Sequence, residues 1–423
     1  MQYTIPHSIK SWLRQCLVEL PFNLKIDFWG QFLMEKEPGN SESLLLNVHH
    51  PGVLRKLLLS GDVFFLVDAY LQKLIDLEGD IERVLPIMQG LQLGANWGWR
   101  SPKLWLDAWT LPPLPHSPSH RSSWQRLPFH SRDRDRAAVQ AHYDMGNTFY
   151  KLWLDPQMLY SCAYFAQPQM NLQEAQAAKL DRICRKLKLS RGEFLLDIGC
   201  GWGALMRWAA LRYGVKAHGI TLSAEQLAYN QHCIKQANLD DKITVELRDY
   251  RDLPSVPTFD KIVSVGMVEH VGAENYPAYF QRILGALKPG GLFLNHGIAS
   301  RDRWQHKSIG EQFIDRYIFP DGRLAPLREL LGAAETAGWE IVDIEAWRPH
   351  YAKTLRCWAD NFMAAFDSIQ ALIGERRSRL WWLYLLGCAL SFEQNEMGIY
   401  QTLLRPARDR EWNLPLTRDY WLC

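Results

Sequence analysis

The segment LLDIGCGWG, Leu195 to Gly203, constrains the fold more than any other stretch of the chain. An apolar run ends at Asp197, glycines follow at 199, 201 and 203, and a helical pattern begins at once. The chain must turn sharply there, and glycine permits positive φ and lets backbone approach a ligand with no Cβ in the way. By itself G-x-G-x-G after a strand serves nucleotide enzymes and also turns that bind nothing. The dinucleotide fingerprint G-x-G-x-x-G is absent, because Leu205 and Met206 follow Ala204, and no Walker lysine follows.

Strand and helix patterns alternate around this turn. Phe194 to Ile198, Val215 to Leu222, Ile243 to Leu247, Phe259 to Val265 and Gly291 to His296 read as strands, with helices over Ala204 to Arg212, 224–237 and 275–287. A further strand is expected at Trp339 to Trp347. Such alternation predicts an α/β domain with a doubly wound, mostly parallel sheet and a ligand site outside the carboxyl ends of its strands.

A length of 423 residues predicts more than one domain. Residues 111–136, LPPLPHSPSHRSSWQRLPFHSRDRDR, hold prolines 112, 113, 115, 118 and 128 and read as a linker, since each proline removes a donor and favours extended backbone. Residues 1–110 are then a smaller α+β domain, with a strand-like start at LKIDFWGQFLM and helical spacing of Val67, Tyr70, Leu71, Leu74 and Ile75, and residues 137–423 form the α/β domain. A net charge of +2 gives no basic excess that would call for nucleic acid. The eight cysteines show no zinc-like spacing, so reduced thiols and no metal are expected. The first twenty residues lack a signal peptide's apolar region, which predicts a cytoplasmic protein with peripheral contact at most to the inner face of the membrane. Between 121 and 136 five arginines face two aspartates beside Trp124 and Phe129, a mixture suited to anionic head groups, and equally to a solvated tether.

Asp197 with its glycine turn resembles the first motif of class I S-adenosylmethionine-dependent methyltransferases, a Rossmann-like fold. The second strand ends in GITLSAEQ, where most members of that superfamily carry an acidic residue for the ribose, and here Thr221 and Gln226 stand nearby. Ser223 reads as a helix N-cap. Asp249 and Tyr250 in LRDYRDL are placed to meet an adenine edge.

More specifically, HYDMGNTFYKLWLDPQMLYSCAYF from His142, together with DIGCGWG, GITLSAEQ, SVGMVEHVG and KPGGLFLNHGI, resembles the cyclopropane-fatty-acid synthases and their mycolic-acid relatives over most of residues 137–390. AYLQKLIDLEGDIERVL weakly resembles the small N-terminal domain of the longer members, a lipid-binding-like domain. The resemblance implies transfer of a methylene group from S-adenosylmethionine to a cis double bond of an unsaturated phospholipid acyl chain. It places Tyr160, Ser161 and Leu222 against the cofactor beside Asp197, Gly199, Gly201, Gly203, Thr221, Gln226, Asp249 and Tyr250. It also implies a bicarbonate ion that takes the proton released on ring closure, held by Cys162, Glu269, His296, Tyr351 and the Ile298 backbone. Taken alone, Cys162 fits a buried structural thiol and Tyr351 a core residue. Glu269 and His296 follow different strands at one sheet end, so a carboxylate orienting an imidazole is expected. Cys388 in LLGCALSF matches a family cysteine and reads better as packing than as a nucleophile.

The departures are Ala204 for a second glycine, Glu393 where arginine is common, and the segment RPH before Tyr351. Methylation of an alkene to a branched chain, or of a small amine, are the alternatives within enzymes. A catalytically silent lipid-binding protein would need part of the anion constellation missing, and none is. The phospholipid, the acyl position and whether a homodimer forms are left open.

Overall fold

The computed structural model describes residues 4–17, 20, 23–30, 32–36, 43–79, 81–84, 87–88, 90–91, 101–114, 145–301, 309–318 and 324–422. It divides into two compact units, residues 1–121 with 308–313 and 374–383, and residues 122–307 with 314–373 and 384–423. The expected linker, 111–136, lies outside the described residues beyond 114. No helix of the described residues is long and apolar enough to cross a membrane.

The first unit holds a four-stranded sheet in the order β2-β1-β3-β4, built from β1 (Asn23–Phe28), β2 (Phe32–Lys36), β3 (Ser43–Val48) and β4 (Ile75–Glu78). It is α+β as expected, but two local readings change. The single strand-like run at LKIDFWGQFLM is a hairpin, because Trp29 and Gly30 both take positive φ, 44° and 70°, and reverse the chain. The helical spacing from Val67 does not reach Ile75. The helix Phe65–Leu71 ends as Lys73 enters the left-handed region at φ 58°, and Ile75 opens β4.

The second unit holds seven strands in the order β10-β11-β9-β8-β5-β6-β7. They are β5 (Phe194–Ile198), β6 (Lys216–Thr221), β7 (Ile243–Leu247), β8 (Phe259–Val265), β9 (Leu287–Ser300), β10 (Trp339–Ala346) and β11 (Met397–Pro406). β5 through β9 pair in parallel, while β11 runs antiparallel between β9 and β10. Alternation along β5 sends Leu195 into one core cluster with Ile183, Met206 and Ala209, and Leu196 into another with Tyr279, Phe280 and Ile283. Helices thus cover both faces. The strand order reverses between β5 and β8, and that switch point opens a crevice at their carboxyl ends.

The helix Leu172–Lys186 borders this crevice. Its start is fixed by a capping box in which Asn171 Oδ1 accepts from the Glu174 N–H and Glu174 Oε2 accepts from the Asn171 N–H. Spacings of three and four residues then put Lys179, Arg182 and Lys186 on one buried stripe.

Candidate active site

A pocket opens at the end of β5. All eleven residues assigned to the cofactor from sequence line it: Tyr160, Ser161, Asp197, Gly199, Gly201, Gly203, Thr221, Leu222, Gln226, Asp249 and Tyr250. The glycines there do different work. A Cβ on Gly201 would meet nothing within 4 Å, so that backbone faces open space where a ligand can lie close. A Cβ on Gly203 would stand 1.7 Å from Asn230 Oδ1, because Asn230 is drawn in to donate to the carbonyls of Gly201 at 2.7 Å and Gln226 at 2.9 Å. Gly203 therefore fixes the loop, and Gly201 presents it.

Around the loop the polar groups are held rigidly. Thr221 Oγ1 donates to Gln226 Oε1 at 2.8 Å, and Ser223 caps the following helix by accepting from the Gln226 N–H. Asp249 accepts a two-pronged contact from Arg251, Nε at 2.9 Å and Nη2 at 2.7 Å, a partner not foreseen from sequence. Ala204 starts the helix Ala204–Tyr213 and is buried, so the lost glycine leaves the turn intact. Asp197 is buried, and burial pushes its carboxyl up to about 7 against the opposing charge of Lys179. Lys179 itself was missed.

The six residues assigned to the reaction do not line this pocket. Glu269 sits in the short helix Val268–His270 after β8, and its Oε1 accepts from the Ile298 N–H at 2.8 Å. Burial raises its carboxyl to about 7, with the Ile298 bond pulling the other way. His296, on β9, is held neutral by burial and by the charges of Lys179 and Lys186. The expected Glu269–His296 bond is absent. Instead Gln401 of β11 meets His296 Nδ1 at 3.1 Å, and with the amide nitrogen donating, the ring proton sits on Nε2. Glu269 Oε2 and His296 Nε2 are both buried and without a hydrogen-bond partner among the described residues.

Trp347 ties the other members to this place. Its ring lies edge-on to His296 with centroids 5.0 Å apart, its carbonyl is 4.0 Å from Cys162 Sγ, and it accepts the Tyr351 N–H at 3.1 Å as the helix Arg348–Ala364 begins. Cys162 is fully buried and its thiol is pushed up by that burial, as a neutral thiol would be. Tyr351 lies tilted against Phe392, with ring centroids 4.7 Å apart, and edge-on to Trp358 at 6.0 Å. Burial pushes Cys388 up to about 12, and its neighbour Tyr384 accepts from the Tyr160 hydroxyl at 3.2 Å, so this cysteine is one residue removed from the pocket wall. Two departures acquire local reasons. Glu393 pairs with Arg356 at 2.7 Å, and His350 Nδ1 accepts the Phe165 N–H at 3.1 Å, anchoring the segment that carries Cys162.

The family model for mycolic acid cyclopropane synthetase matches residues 130–402. The chain belongs to that family. It is 40 % identical over 406 residues to a probable fatty acid methyltransferase of Pseudomonas putida, covering 95 % of this chain and 96 % of that one. It is also 40 % identical over 294 residues to the cyclopropane-fatty-acyl-phospholipid synthase of Escherichia coli, covering 69 % of this chain and 74 % of that one. Among solved structures it resembles the mycolic acid cyclopropane synthase CmaA1 complexed with SAH and CTAB, at 36 % identity and a TM-score of 0.61, over 64 % of this chain and 97 % of that one. This enzyme is accordingly an S-adenosylmethionine-dependent methyltransferase of the cyclopropane synthase family, with the class I fold expected from its sequence.

Proposed function

We propose that this enzyme adds a methylene group across a cis double bond of an unsaturated phospholipid acyl chain, closing a cyclopropane ring. The reading rests chiefly on two buried, unpartnered polar atoms, Glu269 Oε2 and His296 Nε2, the first on a residue between Met267 and His270 of the pocket wall. Buried polar groups are ordinarily bonded, so a pair left open favours a small polar guest. Bicarbonate fits. The neutral imidazole donates from Nε2, and a carboxyl near 7 can donate when protonated and accept when ionised. Glu269 and His296 would hold the ion, with Cys162, Tyr351 and the backbone at Ile298 around it, and the ion would supply a base for the proton lost on ring closure.

S-adenosylmethionine, when bound, supplies the electrophilic methyl. The pocket residues orient it: Gly199 and Gly201 by close backbone approach, Thr221, Leu222 and Gln226 beside the ribose, Asp249 and Tyr250 at the adenine. An alkene is a weak nucleophile, so these contacts must hold the methyl in line with it and keep water away. Rings provide that exclusion. Tyr160 contacts Trp153 at 5.4 Å and Trp358 at 5.1 Å, and Tyr150 contacts Trp202 at 4.9 Å, so aromatic faces run from the cofactor loop to Tyr351 and can attract a developing positive charge.

The phospholipid substrate is supported by the name of the Escherichia coli relative. A second reading, a methyl- or methylene-branched product, is supported by the name of the Pseudomonas putida relative, which covers nearly the whole chain. Residues 1–110 as a lipid-binding-like domain, residues 111–136 as a basic linker toward an anionic membrane from the cytoplasmic side, residues 137–423 as the catalytic domain, and a homodimer complete the proposal. Incubating the enzyme with S-adenosylmethionine and either an unsaturated phospholipid or the free fatty acid tests it. Proton NMR of the product should reveal cyclopropane ring protons from the phospholipid. Ring protons only from the free acid would remove the phospholipid assignment, and branched methyl or exocyclic methylene signals would favour the second reading.

A further inference from the structure

Beyond the charge with which it helps to hold His296 neutral, Lys179 has no task in the chemistry described above, yet it lines the cofactor pocket and is only 1 % exposed. Its ammonium donates to Ser161 Oγ at 2.7 Å. Asp155, Cys162 and Asp197 lie near enough to favour its charge, but burial outweighs them and holds it down to about 8. No ion pair within 4.0 Å joins Lys179 to a carboxylate of the described residues. A lysine buried in this way is costly unless something pairs with it.

The other charges on the pocket wall narrow what that partner can be. Asp249 and Arg251 neutralise one another through their two-pronged contact. Lys179 and Asp197 are the opposite pair, one buried cation and one buried carboxylate that sense each other's charge without direct contact. S-adenosylmethionine carries at its amino-acid end one carboxylate and one ammonium. The two sets of charges are complementary. The scaffold around Lys179 is fixed as well: Gln176, one turn earlier on the same helix, donates to the carbonyls of Leu159 at 3.2 Å and Ser161 at 3.0 Å, and Asp155 accepts from the Leu159 N–H at 2.8 Å.

We propose that Lys179 is the positioning residue for the amino-acid carboxylate of S-adenosylmethionine, acting together with the Ser161 hydroxyl it holds, while Asp197 receives the ammonium. The inference rests on the pocket being the cofactor site. It gives the helix Leu172–Lys186 a function beyond packing, because the cofactor's carboxylate end is then tied to the segment bearing Tyr160, Ser161 and Cys162.

Calorimetry of the full chain with S-adenosylhomocysteine and with its decarboxylated counterpart tests the assignment, since the two ligands differ only in the carboxylate. The wild type should prefer the carboxylated ligand by on the order of 10- to 100-fold, the range of a charge-assisted hydrogen bond. Lys179→Met should abolish that preference by weakening the carboxylated ligand alone, with the decarboxylated one unchanged, which also reports that the variant is folded. Ser161→Ala should narrow the preference. A wild type that does not discriminate, a Lys179→Met variant that keeps the preference, or one that loses both ligands equally would overturn the proposal. Should Lys179→Met not fold, the wild type and Ser161→Ala decide, and an undiminished preference in Ser161→Ala overturns it. Failure of the wild type to bind either ligand would sink the cofactor reading itself, and the proposal with it.

Discussion

Replacing two neighbouring glycines by alanine separates what holds the cofactor loop together from what the loop offers a ligand. Gly201 and Gly203 have φ of 53° and 78°, so alanine at either place incurs the left-handed cost of about 1 kcal/mol. At Gly201 the new methyl meets nothing within 4 Å, and the cost ends there. At Gly203 it would overlap Asn230 Oδ1, so the carboxamide must swing away and give up its bonds to the Gly201 and Gln226 carbonyls. Two hydrogen bonds at about 1 kcal/mol each bring the total to about 3 kcal/mol. Gly203→Ala should therefore be less stable than Gly201→Ala by about 2 kcal/mol. The order reverses for binding per unit of stability lost: Gly201→Ala, and Gly201→Val more so, should lose S-adenosylhomocysteine affinity while remaining well folded. Denaturant unfolding followed by circular dichroism, with calorimetry on the folded proteins, measures both. Equal stability of the two alanine variants, or normal affinity in Gly201→Val, would refute the division of roles.

Three further outcomes follow from the surroundings of the site. Glu269→Gln should keep cofactor affinity, since Glu269 is not on the pocket wall, and lose turnover by on the order of 10² or more, the contribution of a positioned base; near-normal turnover on unsaturated phospholipid would contradict it. Burial works against the ionised form of Glu345, but the Arg182 fork and the Lys186 ammonium outweigh it and hold the carboxyl down to about 2. A depressed value means that this stabilisation is complete above the ordinary 4.5 and is lost as pH falls toward about 2, so Glu345→Gln should cost on the order of 3 kcal/mol at neutral pH and flatten the acid limb of the unfolding curve. An unchanged acid limb would show that the cluster does not matter. Changing Arg121, Arg126, Arg132, Arg134 and Arg136 to glutamine should weaken sedimentation with anionic liposomes, and unchanged binding would remove the basic segment from membrane docking.

What could be read from sequence was what local chemistry dictates. The strand, the turn and the helix at 194–213 require nothing from elsewhere in the chain, so Gly199, Gly201, Gly203 and Asp197 were legible, and the later ends of β6 and β7 supplied Thr221, Gln226, Asp249 and Tyr250. Groups fixed by distant partners were not legible. Lys179 lies in LQEAQAAKLDRICRK, whose charges resemble a solvated face until the helix is docked. Gln401 belongs to β11, MGIYQTLLRP, which lies beyond the last strand expected from sequence; its insertion between β9 and β10 buries Gln401 and Thr402 against His296 and Asn295. The expected bond from Glu269 to His296 is replaced by contacts the sequence does not reveal, the Ile298 N–H on Glu269 Oε1 and Gln401 on His296 Nδ1, while Glu269 Oε2 and His296 Nε2 stay open.

The central claim is that a methyl group is transferred and then loses one hydrogen at the Glu269–His296 site. S-adenosylmethionine deuterated throughout its methyl group, given to the enzyme with a cis-unsaturated phospholipid, tests it most directly. Mass spectrometry and deuterium NMR of the product should find a ring carbon bearing two deuteriums, with the third released to solvent. A branched chain retaining all three deuteriums would contradict the account.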